Sequence, residues 1–99
     1  ENSGDFLAAI NNYTDAVKHH YEDEQLYVNR AICYGKTNNF KSALNDVNLV
    51  LSKNPNNAFA WYLSGIAKIN VQENGCNDLI TAYKKGYQPA MQALNQYCR

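Results

Sequence analysis

What the 99-residue chain lacks narrows its work before any motif is read. It has no charge excess, since nine basic side chains face nine acidic ones. A domain that grips nucleic-acid phosphates or an anionic membrane surface normally carries a basic surplus, so neither partner is expected. It has no apolar run near the eighteen or so residues that a membrane-spanning helix requires, although apolar types make up 45% of the sequence. No transmembrane segment is expected. Only two prolines interrupt it, which leaves long segments free to stay helical. No CxxC, HExxH, GxSxG or glycine-rich phosphate loop occurs, so no zinc, hydrolase or nucleotide chemistry is indicated, and neither a cofactor nor a catalytic residue is expected. The chain starts at Glu1 without an initiator Met or a basic-then-apolar leader. That start fits a processed protein or a piece of a larger one. Residues 1–99 are expected to form one domain, because two cores need a longer chain.

Asparagine, by contrast, occurs fifteen times and tyrosine eight. Asparagine adds polarity without charge and suits helix caps and turns. Acidic residues outnumber basic ones seven to four through residue 50, and basic outnumber acidic five to two afterwards. An ordinary solvated surface accounts for so modest a polarity. Apolar residues recur at helical spacing: Phe6, Ala9, Ile10, Tyr13, Ala16 and Val17, then Leu26, Tyr27, Ala31 and Tyr34 with Arg30 among them, then Phe40, Ala43, Leu44, Val47, Val50 and Leu51. A period of 3.6 is obeyed and a period of 2 is not. Breakers fall at Gly4, Glu22 to Glu24, Thr37 to Asn39, Asn54 to Asn57, Asn74 with Gly75, and Gly86 to Pro89. The pattern predicts an all-α chain of six helices near 5–20, 24–37, 40–53, 58–71, 75–86 and 89–98.

The chain also repeats itself. Tyr27 recurs as Trp61 and Ala31 as Gly65, each 34 residues on, and Ala9 recurs as Ala43 and Tyr13 as Val47 at the same offset. Large and small residues so spaced let two helices approach closely, one supplying bulk where its neighbour has none. These residues resemble the tetratricopeptide repeat family, whose unit is a pair of antiparallel helices. The best match is Glu24 to Asn57: Tyr27, Ala31, Tyr34 and Ala43 occupy its aromatic and small slots, and Pro55 closes it. Val47 stands where the pattern has an aromatic residue and Val50 where it has Ala. Residues 4–23 match only the second helix of such a unit. Residues 58–86 begin a further unit with Phe59, Trp61, Tyr62 and Gly65, then diverge, with Lys68 in the tyrosine slot and the second helix about two residues early. Residues 87–99 form a capping helix. The closing segment, with Gly75 to Leu79, Lys84 to Ala90 and Tyr97 with Cys98, resembles that of exported bacterial and Sel1-like members. The resemblance implies a right-handed α-α solenoid, and its slots place Trp61 in the core against Gly65.

In that family the first helix of each pair lines a concave groove. Here this implies Gln25, Val28, Asn29, Ile32 and Lys36 on one helix and Phe59, Tyr62, Leu63, Ile66 and Asn70 on the next. Members that hold chaperone C-terminal tails use a clamp of Lys, Asn and Arg, because a carboxylate needs several donors and positive charge. Only Asn29 matches that clamp, while Phe59 and Leu63 stand in later clamp slots. A chaperone tail is disfavoured, and an apolar peptide or partner helix is expected instead.

Other features have plainer readings. His19 and His20 precede Glu22, Asp23 and Glu24, and histidines at a helix end suit its dipole better than they suggest a metal, so no metal site is expected. Asn12-Tyr13-Thr14 fits the glycosylation acceptor pattern, but it falls mid-helix with Tyr13 in a packing slot. Phe59, Trp61 and Tyr62 could stack on bases, yet neutral charge and helical spacing favour core and groove lining. For the three cysteines, a turn at Gly86 to Gln88 puts Cys76 ten residues before it and Cys98 twelve after it. On antiparallel helices these positions are nearly level and can be bridged. Cys33 then remains a buried free thiol. The alternative is that all three stay reduced in a cytosolic protein. A bridge would favour a periplasm or cell envelope, and its absence the cytoplasm. The expected function is a non-enzymatic protein-interaction scaffold. Its rivals are a structural domain whose groove is filled by its own flanking repeats, a thiol-redox protein, and a helical-repeat RNA binder.

Overall fold

The computed structural model describes residues 3–20 and 23–98. They form six α-helices: α1 (Ser3–His19), α2 (Glu24–Lys36), α3 (Phe40–Lys53), α4 (Ala58–Asn70), α5 (Cys76–Lys84) and α6 (Ala90–Tyr97). No strand occurs among the described residues, and no helix is long and apolar enough to cross a membrane. Every helix lies within two residues of its expected limits. Glu22, expected in the first turn, lies outside the described residues.

The 34-residue spacing is written into the helix ends. Asp23 and Asn57, 34 apart, are the N-caps of α2 and α4. Asp23 Oδ1 accepts from the amides of Gln25 at 3.0 Å and Leu26 at 3.4 Å, and Asn57 Oδ1 from that of Ala60 at 3.0 Å. At the other ends, Asn38 and Gln72, again 34 apart, take left-handed backbone with φ of 64° and 65°. The amide that follows each one closes the helix, Asn39 N–H on the Tyr34 carbonyl and Glu73 N–H on that of Lys68, both at 2.8 Å. Such a closure satisfies a carbonyl that a helix end otherwise leaves without a partner. Asn suits this conformation and Gln rarely adopts it, which is why the first closure was legible in the sequence as a breaker and the second was not.

The helices pack in chain order, and in addition α2 touches α4 and α4 touches α6. No such contact joins α1 to α3 or α3 to α5. The even helices thus form the tighter row. Its smallest dimension, 20 Å, is about two helix diameters, as two layers require. The central core joins Val28 and Ala31 of α2, Ala43, Val47 and Val50 of α3, and Ala60 of α4.

The second hairpin uses a different register. The buried residues Ala43, Asp46, Val47 and Val50 of α3 reappear 32 positions on as Gly75, Asp78, Leu79 and Ala82 at α5, all buried. The helix that arrives two residues early therefore keeps every core position. It is bound more closely to α4: a Cβ added at Gly65 would lie 2.8 Å from Leu79 Cδ2 and 2.9 Å from the Gly75 carbonyl oxygen, and one added at Gly75 would overlap the Gly65 carbonyl. The Gly65 site is thus filled from α5. Trp61, expected in the core against it, is instead half-buried, and its indole N–H donates to the Pro55 carbonyl at 2.7 Å. An indole has one donor to satisfy, and the preceding corner offers the acceptor.

Cys76 at the start of α5 and Cys98 at the end of α6 form a disulfide, with Cα atoms 5.9 Å apart across a separation of 22 residues. Cys33 is a buried free thiol, and burial raises its pKa. Two outcomes are expected. Gly65→Ala should destabilise the chain by about 1 to 3 kcal/mol, since one of the obstructing atoms is backbone; an unchanged urea midpoint would contradict the close approach. Alkylation in denaturant without reductant should label one thiol per chain and with reductant three; three in both would exclude the bridge.

Candidate functional site

Two polar clusters hold the hairpins in register beneath the surface of interest. Arg30 of α2 reaches Asp46 of α3 through both ends of its guanidinium, Nε to Oδ2 at 2.8 Å and Nη2 to Oδ1 at 2.7 Å. A third nitrogen donates to Thr14 Oγ1 of α1 at 3.3 Å, so one side chain ties three helices. The guanidinium carbon sits 5.7 Å from the ring centres of both Tyr27 and Tyr34. The Asp46 hydrogen bond holds the Arg30 pKa up, against the opposing effect of burial. In the second hairpin Ser64 stands at the position of Arg30 and donates to Asp78 Oδ2 at 2.7 Å. The missing cation comes from Lys68, whose Nζ lies 2.9 Å from the same oxygen. Lys68, 34 residues after Tyr34 and one helical turn along α4 from Ser64, thus supplies the positive charge in this hairpin.

With the registers fixed, the even-helix face carries a pocket of about 240 Å³. Ala31, Ile32, Gly35 and Lys36 line it from α2, Phe40 and Ala43 from α3, and Leu63, Ile66 and Ala67 from α4. Lys36 is its only charged residue. Gly35 leaves it open: a Cβ added there would meet nothing within 4 Å. A second cavity of about 350 Å³ adjoins it across Phe40, lined by Asn38, Asn39, Lys41, Ser42, Asn70 and Val71.

The ten groove residues read from the sequence have several different surroundings. Ile32, Lys36, Leu63 and Ile66 meet in the apolar pocket, and Asn70 lines the second cavity while its amide donates to the Ile66 carbonyl at 2.8 Å. Phe59 and Tyr62, one turn before Leu63 and Ile66 on α4, stack on each other at 6.1 Å and meet Tyr87 from the α5–α6 turn edge-on and tilted, with ring centres 5.2 and 4.9 Å from it. Burial, and then the nearby Tyr87 and Tyr97, raise the Tyr62 pKa. Gln25 and Asn29 bond to each other along α2, Nε2 to Oδ1 at 2.9 Å. Val28 is only 4% exposed and belongs to the core, so it offers no groove surface. The sequence reading missed Gly35, Phe40 and Tyr87. Gly35, one turn after Ala31, was the available signal: two small residues stacked on one helix face leave room for something.

His19 in the last turn of α1 and His20 just after it are exposed, and the Asp23 amide donates to the His20 carbonyl at 2.9 Å. Glu24 instead accepts from the Asn57 and Asn54 amides at 2.7 and 3.3 Å. Among the described residues no three His, Cys, Asp or Glu side chains are grouped to hold a metal. Asn12 is exposed on α1. No family model matches the chain.

Removing Asp46 should cost far more than removing Lys68. Asp46→Ala strands a guanidinium that is 15% exposed, at roughly 3 to 5 kcal/mol. Lys68→Ala leaves Ser64 on the carboxylate and removes a side chain that is 32% exposed, at about 1 kcal/mol or less. Urea denaturation of the two variants measures the difference, and equal losses would show that the two clusters do not divide the work as described.

Proposed function

We propose that the chain is a non-enzymatic protein-interaction scaffold, a solenoid of the tetratricopeptide kind that takes an apolar peptide or helix from a partner on its even-helix face. One observation carries this: a preformed apolar pocket opens between α2 and α4, where Ile32, Leu63 and Ile66 surround space that Gly35 leaves empty. Preformed apolar concavities are where short segments anchor, because an inserted side chain leaves water without ordering the receptor. The repeat period supports the family likeness. The Cys76–Cys98 bridge supports an oxidising compartment, such as a periplasm or cell envelope. The thiol-redox reading is disfavoured, since Cys33 is buried with a raised pKa, opposite to what a reactive thiolate needs.

Gly35→Leu is the sharpest test. A leucine there projects into open space and favours the helix by roughly 1 kcal/mol relative to glycine, so it should fill the pocket without harming the fold. Captured from its native source, the wild-type chain should retain a partner that this variant loses, with the circular dichroism melt preserved. A variant that holds the same partner equally well would place the binding face elsewhere.

A further inference from the structure

We propose that the edge of the stack where α2 ends and α3 begins receives an acidic segment of a partner protein, anchored by an aliphatic side chain. This deepens the groove reading and rests on it. The apolar pocket and the polar cavity beside it share Phe40, so they are one continuous depression with two characters. Its apolar half, walled by Ile32, Leu63 and Ile66, has room for a branched aliphatic side chain. Its polar half carries only neutral and basic groups.

Charge decides the chemistry of the occupant. No acidic residue lines either half, whereas Lys36 lines one and Lys41 the other, both exposed. Neither lysine is in an ion pair among the described residues, unlike Lys68, which Asp78 holds. The start of α3 lies between them with no side-chain cap and no acid in its first turn, and the Asn39 side-chain NH2 donates to Thr37 Oγ1 at 2.9 Å. In the last turns of α2 and α4 the carbonyls of Cys33, Tyr34, Ala67 and Lys68, which would repel an anion, accept from the amides of Thr37, Asn39, Val71 and Glu73. Glu73, the acid nearest in sequence to Val71, is exposed and does not line the cavity. A segment that puts an aliphatic residue into the pocket thus lays its neighbours beside two free cations and a bare helix start. Acidic neighbours gain from that field, and basic ones are repelled.

The probe is a short fluorescent peptide, blocked at both ends, with paired leucines between aspartates; its twin has asparagine for every aspartate. Anisotropy titrations use the oxidised 99-residue chain. At low salt the aspartate peptide should bind about tenfold more tightly than its twin, and the gap should close as salt rises. The double variant Lys36→Gln, Lys41→Gln, which alters only exposed side chains, should bind both peptides alike and melt as the wild type does. Twins that bind the wild-type chain equally, or a gap that survives in the double variant, would overturn the acidic segment and leave the apolar groove standing. Failure of both peptides to bind would also overturn it, and capture by the Gly35→Leu variant separately reports whether the groove is used at all.

Discussion

A carboxylate buried in the second helix of each hairpin dictates how the two helices can sit. Asp46 and Asp78 are 2% and 8% exposed, and each is met by donors from the helix before it. Sliding either hairpin by one residue would strand a buried charge, at several kcal/mol. Neighbouring apolar contacts impose no such penalty, since Val, Leu and Ala can repack at modest cost. The carboxylates therefore select the register and the apolar residues fill it. Everything on the even-helix face follows from that selection, because the pocket lies between α2 and α4, and α3, with its Asp46, positions both.

Legibility in the sequence tracked how local the physics was. Helix limits came out well because periodicity and Asn-rich corners are local signals, and the period of 34 was visible in Tyr27 with Trp61 and Ala31 with Gly65. The level placement of Cys76 and Cys98 required only a turn position and a rise per residue. Tertiary competition was harder to see. Trp61 reads as core by its slot, yet Leu79 fills the space at Gly65 and the indole turns to Pro55. Arg30 reads as an oddity in an apolar stripe until Asp46, sixteen residues away, is placed opposite it. The groove is the least local of these readings. Stepping around a helix picks a face, but it cannot say that Val28 on that face is closed over by α3 and α4, or that Tyr87 arrives from a turn to join Phe59 and Tyr62.

The divergent second hairpin keeps the physics of the first with different residues. Losing the arginine at the position of Ser64 would leave Asp78 short of a cation, and Lys68 restores it from one turn away. This exchanges a two-point, three-helix tie for a hydroxyl and an ammonium on one carboxylate oxygen, the ammonium partly open to water. A more flexible lysine holds its partner less firmly than a planar guanidinium does. The close backbone approach of Gly65 and Gly75 compensates, since two glycines in contact fix the helix pair sterically where the ion pair does so electrostatically.

That substitution bears on how the stack ends. α5 spans nine residues and α6 eight, too short for either to be stable alone. Two small residues, Ala90 and Ala93, are all that α6 buries fully, and alanines bring little apolar area from water. A weakly held final helix would fray. The Cys76–Cys98 bridge acts where packing is poorest, joining the first residue of α5 to the cap of α6. By restricting the unfolded chain it contributes about 3 kcal/mol for a loop of this size. The face made by α2 and α4 is then bounded on one side by a helix that stays in place in an oxidising medium. The aromatic cluster of Phe59, Tyr62 and Tyr87, which spans α4 and the turn into α6, keeps its shape for the same reason.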